Sequence, residues 1–195
     1  MSLKYSNTTA DYLPWNEMVL LVRRLFEDGN FTYSLLISLG SFWGLRISDL
    51  RDLKWEDILY KKDISITEQK TGKKRNITIS PQLQRHIKAC FDGIQPFSTE
   101  SYCFISQMGT VLTIQRINSV FKELKKKYNL PISNFSTHSM RKTFGRQIIS
   151  IAGEHSEMAL IKLGEIFGHS STQITRRYLG LRQQEIAEVY ESLSF

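Results

Sequence analysis

Apolar residues recur every three or four positions along most of the chain, which is the spacing of one face of an α-helix. The first such run, residues 15–26, follows Pro14, which suits the first turn of a helix, and ends before Gly29. A second helix is predicted over residues 31–42, within an apolar stretch that ends at Leu45. This stretch has about 15 residues, whereas a bilayer span needs about 20. We therefore expect a buried core helix.

A period of two, typical of β-strands, replaces the helical spacing in the region that follows. Residues 64–67 and 75–79 alternate apolar and polar side chains, and the turn between them contains Gly72 and several lysines. This pattern predicts an antiparallel hairpin with a basic tip. Ser80 and Pro81 then suit the N-cap and the first position of another helix. The other helical segments are predicted over residues 47–53, 81–91, 113–128, 136–151, 159–167, 172–179 and 183–193.

The composition is that of one soluble globular domain, with 195 residues of which 41% are hydrophobic and 23% charged. No repeat or low-complexity tract divides the chain, so residues 13–195 are predicted to form one packed domain and residues 1–12 a tail or linker remnant. The net charge of +7 favours an acidic partner, and nucleic acid is the commonest one. No secretory signal is visible, so the cytoplasm is the expected compartment.

Four residues of types that can bind metals are predicted to have structural roles only. Cys90 and Cys103 lack the CxxC spacing and the nearby histidine pairs of a zinc site, so we expect reduced thiols that fill space. His86 is predicted on a solvated helix face. His155 is predicted in an exposed loop over residues 153–157.

Basic or nucleophilic groups stand beside tight glycines at five places, and each place is ambiguous by itself. An arginine after a buried helix is commonly an ion-pair partner, and two polar residues at i and i+3 share many solvated helix faces. The ordered set is much more specific. It consists of Gly44-Leu45-Arg46, Lys70 in the hairpin turn, His138-Ser139-Met140-Arg141, Gly168-His169, and Tyr178 nine residues after that histidine.

In this order and spacing, the set resembles the tyrosine recombinase (phage integrase) family. The catalytic domain of that family carries an arginine in a GxR motif, a hairpin lysine, an HxxR helix, a GH pair and a tyrosine. The resemblance covers nearly the whole chain. It implies an α+β, mainly helical fold with a small antiparallel three-stranded sheet or hairpin, as in DNA breaking-rejoining enzymes. It also implies catalytic roles for Arg46, Lys70, His138, Arg141, His169 and Tyr178.

The chemistry of these groups agrees with the resemblance. Two arginines, a lysine and two histidines in one pocket would repel each other unless an anion lay among them, and a phosphate meets that need. The planar guanidinium of arginine can hold two phosphate oxygens, so Arg46 and Arg141 suit the binding of a scissile phosphodiester. Tyr178 is the predicted nucleophile. A phenol of pKa about 10 is only about 0.1% ionised at pH 7, so neighbouring cations or a base must activate it.

The other three groups are predicted to move protons or to bind the phosphate. His138 is the predicted base or proton acceptor, and His169 is predicted to hydrogen-bond the phosphate. Lys70 is predicted to protonate the departing 5′ oxygen of DNA. The resemblance implies a 3′-phosphotyrosyl link and a free 5′ hydroxyl, and strand exchange without metal, cofactor or ATP.

Residues near this set are predicted to support it. Asp49, one turn after Arg46, is predicted to orient that arginine. The basic run at residues 122–127 is interpreted as a solvated helix face, with contact to the DNA backbone as the alternative. Predicted DNA-binding residues at the hairpin tip are Lys73, Lys74 and Arg75.

The resemblance also implies partners. These are double-stranded DNA in the bacterial nucleoid, three further copies of the chain on two duplexes, and accessory DNA-bending proteins; no membrane is involved. The predicted helix over residues 183–193 has an apolar stripe that suits either docking on a neighbouring protomer or packing within the chain.

One feature of the family has no counterpart here. Most members carry a helical DNA-binding domain before the catalytic domain, and the 12 residues at the start cannot provide it. We expect either a fragment of a longer integrase or a single-domain member that resembles the fimbrial-switch invertases. The predicted function is therefore the catalytic domain of a site-specific recombinase. The alternatives are a non-catalytic DNA-binding accessory factor of the same fold and a strand swivelase like the type IB topoisomerases.

Overall fold

The computed structural model describes residues 10–181, 186 and 190–192. The chain forms two compact units that adjoin in sequence between Thr143 and Phe144, here called the N-terminal and the C-terminal unit. The N-terminal unit contains α1 Trp15–Glu27, α2 Phe31–Trp43, α3 Ile47–Arg51, α4 Trp55–Ile58, β1 Asp63–Thr67, β2 Lys74–Thr78, α5 Pro81–Ile94 and α6 Ile114–Lys127. Helix α7 Thr137–Ala152 begins in this unit and continues into the next. The C-terminal unit then contains a 3₁₀ turn Gly153–His155, α8 Ser156–Phe167 and α9 Thr172–Leu179.

Helix α2 is the central element of the N-terminal unit. Its residues 34–41 are all buried, and α1 and α5 pack against it. The polar groups inside it are satisfied locally, since Ser34 Oγ donates to the carbonyl of Val22 at 2.8 Å and Ser38 Oγ to that of Leu35 at 2.9 Å. The predicted buried core helix is confirmed. None of the helices among the described residues has the length and apolar character needed to cross a membrane.

The predicted hairpin is confirmed, with β1 and β2 paired antiparallel from Asp63 opposite Thr78 to Thr67 opposite Lys74. Within the described residues the sheet has two strands, so of the expected three-stranded sheet or hairpin the structure has the hairpin. The extended segment that follows α5 pairs elsewhere. Its Cys103 N–H donates to the carbonyl of Leu53 at 2.8 Å, so the hydrogen-bonding groups of this segment are used next to α4 and not at the hairpin.

Helix boundaries largely follow the local sequence signals. The side chains of Ser80 and Thr113 accept hydrogen bonds from the N–H groups of Leu83 and Arg116, as N-cap residues do. The predicted loop over residues 153–157 is wrong, because these residues form the 3₁₀ turn and the start of α8. Glu157 lies in the first turn of α8, where a helix favours acidic residues, so the polar character of this segment belongs to a helix start.

His86 also departs from its prediction. Its ring is half-buried, with Nε2 3.2 Å from Ser34 Oγ of α2 and the ring centroid 5.8 Å from that of Phe26 of α1. Because α5 turns this face toward the other two helices, the imidazole packs in the unit and not on a solvated face. Burial lowers the pKa of His86 below its ordinary value, although the contact with Ser34 acts in the opposite direction. The prediction for Cys90 and Cys103 is confirmed, since both are buried free thiols.

The C-terminal unit has its own apolar core, formed by Leu160, Leu163, Phe167, Leu179 and Leu181, with Phe144 packed against it. Gly145 on α7 allows the close approach of α9, because a methyl group at position 145 would lie 2.5 Å from Leu179 Cδ2. The predicted helix over residues 183–193 lies largely outside the described residues.

Candidate active site

The end of α2 brings two arginines of the predicted set to one place. Helix α2 ends at Gly44 in the left-handed conformation, with φ +58°, and Arg46 follows as the N-cap residue of α3. Arg141, on α7, is 5% exposed and its Nη1 donates to the carbonyl oxygen of Gly44. The backbone of Arg46 and the guanidinium of Arg141 therefore both lie at the turn after α2.

Glu68 is a part of this cluster that the sequence analysis missed. Its Oε2 lies 2.6 Å from Arg46 Nη1 and accepts a hydrogen bond of 2.8 Å from Thr71 Oγ1. Burial by itself raises the pKa of Glu68, but the hydrogen bonds from Thr71 and Arg46 and the charges of Arg46 and Arg141 outweigh it and lower the pKa. The strand alternation contained the signal, since Glu68 continues the inward face of Ile64 and Ile66.

Lys70 lies in the turn between β1 and β2, as predicted, and its side chain is exposed. Its loop is closed by two backbone hydrogen bonds, from Glu68 N to Lys73 O at 3.0 Å and from Gly72 N to Glu68 O at 2.8 Å. Asp49, predicted to orient Arg46, accepts a hydrogen bond of 3.0 Å from the backbone N–H of Gln69. Asp49 thus contacts this loop, and its role in orienting Arg46 stays a prediction.

The three basic residues predicted to bind DNA differ in their surroundings. Lys73 and Lys74 are exposed at the hairpin tip. Arg75 is half-buried on the inward face of β2, and its Nη2 donates to the carbonyl of Trp43. Burial is the main cause that lowers the pKa of Arg75. This arginine therefore tethers β2 to the end of α2, which corrects its grouping with the exposed lysines.

His138 lies in the first turn of α7, three residues before Arg141, so the two side chains share one face of the helix. The residue remains exposed overall. Partial desolvation of the ring, together with the positive charges of Arg141 and Lys142, lowers the pKa of His138 below its ordinary value. The lowered pKa favours the neutral imidazole, which is the form that can accept a proton.

His169 and Tyr178 come together within the C-terminal unit. Helix α8 ends at Gly168 with φ +66°, and His169 follows, its Nδ1 3.0 Å from Thr175 Oγ1. The Tyr178 and His169 rings are 5.3 Å apart, edge to face, and both rest on Phe167 at 5.5 Å. The phenolic oxygen of Tyr178 is buried. Thr175 is a second residue that the sequence analysis missed, since nothing in its local pattern points to a histidine partner.

The comparison with protein families gives one match over most of the chain. A family model described as "Phage integrase family" matches residues 18–185. A Bacillus subtilis (strain 168) protein named "Probable integrase/recombinase YoeC" is 29% identical over 177 residues, which are 90% of this chain and 92% of that protein. "Tyrosine recombinase XerC" of Bradyrhizobium diazoefficiens is 26% identical over 155 residues, which are 76% of this chain and 46% of that protein. The chain thus spans nearly all of the first relative and about half of the second.

Solved structures give the same fold. A crystal structure of XerA recombinase superposes with a TM-score of 0.72 at 21% identity, covering 94% of this chain and 65% of that chain. A XerH site-specific recombinase bound to a palindromic difH substrate, in a post-cleavage complex, superposes with a TM-score of 0.66 at 20% identity, covering 95% and 54%. At these identities the likeness shows the fold, and the predicted mainly helical fold of these recombinases is confirmed.

Proposed function

Because the chain belongs to the phage integrase family, we propose that it catalyses strand exchange in site-specific DNA recombination, with Tyr178 as the nucleophile. The observation that carries this proposal is the contact between His169 and Tyr178, the last two residues of the predicted catalytic set. The Tyr178 ring, on α9, lies 5.3 Å from that of His169, which follows the helix-ending Gly168. A protein that only binds DNA has no use for such a pair.

The two arginines are proposed to bind the scissile phosphodiester. A guanidinium is planar and permanently charged, so it can donate to two non-bridging oxygens and stabilise the charge of a pentavalent transition state. What supports this role is that Arg46 lies in the turn after α2 and that Arg141 donates to the carbonyl of Gly44 in the same turn. A bound phosphate would relieve the repulsion between these two cations, because it adds a negative charge to the cluster.

Tyr178 is proposed to attack the phosphorus atom through its phenolic oxygen. A bond forms between that oxygen and phosphorus, and the bond from phosphorus to the 5′ oxygen breaks. The phenol has to lose its proton, which costs about 4 kcal/mol at pH 7 for a pKa near 10. His138 is proposed to accept this proton, and its lowered pKa supports the role because the neutral imidazole is the form that accepts.

Lys70 is proposed to give its proton to the departing 5′ oxygen, so that a hydroxyl leaves and not an alkoxide. Its exposed position in the hairpin loop supports the role, since the side chain has room to approach a bound duplex. The products are a 3′-phosphotyrosyl link and a free 5′ hydroxyl. A 5′ hydroxyl of a second strand then reverses the steps on the link, which gives strand exchange without an external energy source.

Double-stranded DNA is the proposed partner, with Lys73 and Lys74 at the hairpin tip as contacts to the phosphate backbone. Four copies of the chain on two duplexes, joined through the segment 183–193, and accessory DNA-bending proteins complete the proposed assembly. The resemblance carries this part of the proposal.

A covalent-trapping experiment tests the function. The chain and its Tyr178→Phe variant are incubated with a randomised duplex library that carries bridging 5′ phosphorothiolates, whose sulfur leaves without a proton and cannot reverse the reaction. We expect an SDS-resistant adduct with the wild-type chain only, and sequencing of the attached strands then gives the site. An adduct that forms equally with Tyr178→Phe would contradict the assignment of the nucleophile. Salt-sensitive DNA binding without any adduct would favour a non-catalytic DNA-binding factor.

A further inference from the structure

Glu68 is a buried carboxylate that contacts two parts of the candidate site at once. The residue is only 4% exposed. Its Oε2 accepts from Arg46 Nη1 at 2.6 Å and from Thr71 Oγ1 at 2.8 Å, and Thr71 follows Lys70 in the hairpin loop. One carboxylate oxygen therefore joins the guanidinium proposed to bind the phosphate to the loop that carries the proposed general acid.

We propose that Glu68 is a positioning residue, which fixes the Arg46 guanidinium and the Lys70 loop relative to each other. The inference rests on the proposed function, because it assigns Glu68 a task in that reaction. Glu68 itself contacts no reacting atom in this proposal and acts through its two partners.

The contact with Arg46 holds one guanidinium nitrogen and so restricts the orientation of the group. Phosphate binding by an arginine fork depends on the orientation of that plane, and a long side chain has many rotamers to lose when it binds. The side chain of Glu68 is 5% exposed and that of Arg46 is 19% exposed, so the carboxylate holds the arginine from its more buried side. This places the restraint away from the solvent side, from which a duplex would approach.

The charge of Glu68 makes the cluster tolerable before DNA binds. The positive charges of Arg46 and Arg141 act on its carboxyl group, and its negative charge in turn acts on Arg75. Three guanidinium groups next to each other in a partly buried place would be costly without an anion. One carboxylate offsets part of this repulsion and still leaves the cluster positive enough to attract a phosphate.

The contact with Thr71 fixes the loop. The hydroxyl of Thr71 donates to Glu68 and accepts a hydrogen bond of 3.3 Å from the N–H of Lys73. Together with the backbone bonds that close residues 68–73, this leaves the Lys70 backbone little freedom. Because the Lys70 side chain is exposed, the position of its ammonium group depends mainly on where this loop holds it.

The first test measures positioning without catalysis. Arg46 is modified with phenylglyoxal and Lys70 is acetylated, each at trace level, and mass spectrometry gives the rate at each residue, with the exposed Lys122 of α6 as internal reference. The variants are Glu68→Gln, which keeps the size but removes the charge, and Thr71→Val, which removes only the loop contact. Asp63→Asn is the matched control, because it removes a carboxylate from the opposite end of the same hairpin. Circular dichroism verifies that all variants fold.

We expect Glu68→Gln to raise the modification rate of Arg46 severalfold, since the guanidinium loses its charged partner. Thr71→Val is expected to raise the rate at Lys70 and to leave Arg46 unchanged, and Asp63→Asn is expected to change neither. Unchanged rates at both residues in a folded Glu68→Gln variant would overturn the proposal.

The second test measures the reaction on the duplex recovered by covalent trapping, with either oxygen or sulfur at the 5′ bridging position. We expect Glu68→Gln to slow cleavage of the oxygen substrate by about tenfold to a hundredfold, a loss typical of misplaced groups. The loss is expected to be smaller on the sulfur substrate, because sulfur needs no proton from Lys70. A purely structural role would change both substrates equally, and that outcome overturns the proposal. If the wild-type chain gives no adduct, the proposed function is wrong, while the labelling result still decides whether Glu68 positions Arg46 and Lys70.

Discussion

At the scale of single residues, protonation states are set by a few neighbours. Three effects lower the pKa of His138: the partial desolvation of its ring, and the positive charges of Arg141 and Lys142. All three effects disfavour the imidazolium form. The residue proposed to accept the proton of Tyr178 is therefore kept in the form that accepts.

The first prediction concerns the titration of His138. The imidazole pKa, followed by NMR, is expected to lie below 6.5, the ordinary value for histidine. Lys142→Gln is expected to raise it, because one of the two positive charges is lost. Lys88→Gln removes an equal charge from α5 and is expected to leave the His138 titration unchanged. A His138 pKa at or above 6.5 in the wild-type chain would contradict this description.

At the scale of helices and strands, two glycines allow close packing between helices beside the proposed catalytic residues. A methyl group at Gly40 on α2 would lie 2.5 Å from the sulfur of Met140, which neighbours Arg141 on α7. A methyl group at Gly145 would lie 2.5 Å from Leu179, which neighbours Tyr178. In each case a side chain next to a proposed catalytic residue fills the space that a larger residue would take.

The second prediction uses this packing. Gly145→Ala is expected to destabilise the chain by about 1 to 3 kcal/mol, the usual cost of overpacking, because Leu179 and Phe167 have to move. It is also expected to slow adduct formation, because a displacement of Leu179 shifts α9 and moves the neighbouring Tyr178 with it. Gly164→Ala is the matched control on α8, where the added methyl meets only Thr175 at an ordinary 3.4 Å. Urea unfolding and trapping rates measure both effects; equal stability of the two variants would count against this account.

The third prediction concerns His86 at the contact of α1, α2 and α5. Its pKa is lowered in the folded chain, so the unfolded chain binds the proton more readily. The contribution of His86 to stability is therefore complete above pH 6.5 and is lost as the pH falls below that value. The urea midpoint is expected to drop between pH 7.5 and pH 5.5, and His86→Gln is expected to remove part of that drop. The lowered pKa of His138 acts in the same direction, so a remaining pH dependence in His86→Gln is expected. A drop of the same size in both chains would exclude His86 as a contributor.

At the scale of the whole chain, the excess of positive charge is the dominant electrostatic feature. The net charge is +7, and the exposed lysines at the hairpin tip carry part of it. Two lysines of the basic run on α6 already have partners within the chain: Lys127 forms an ion pair with Asp28, and Lys125 donates a hydrogen bond to the carbonyl of Ser133. We therefore expect the hairpin tip to contribute more to DNA binding than this run.

The fourth prediction is a steep salt dependence of binding to a random-sequence duplex. Affinity is expected to fall at least about a hundredfold between about 50 and 200 mM salt, because counterions are released from each phosphate contact. The double variant Lys73→Gln, Lys74→Gln is expected to reduce the slope of log affinity against log salt concentration by the amount of about one to two phosphate contacts. Lys125→Gln is expected to change this slope little. Fluorescence anisotropy over a salt series gives the slopes. A flat response would argue against a DNA substrate.

Local sequence signals predict most of the elements and the order of the candidate residues. Helix starts at Ser80 and Thr113, the helix end before Gly29 and the alternation around the hairpin are local signals, readable within a few residues. The recombinase motifs are likewise short and ordered, which is why they were found without knowledge of the fold.

The tertiary structure alone decided which polar groups are buried and what they contact. Glu68 lies 22 residues from its partner Arg46, and Arg75 lies 32 residues from the carbonyl that it binds. Periodicity assigns a side chain to a face, but it does not say what packs on that face, which is why the solvated face predicted for His86 is wrong. The partners of a buried charge follow from long-range packing. Burial of a charge costs free energy unless the fold brings hydrogen-bonding or oppositely charged groups next to it, and these groups can lie far away in the sequence.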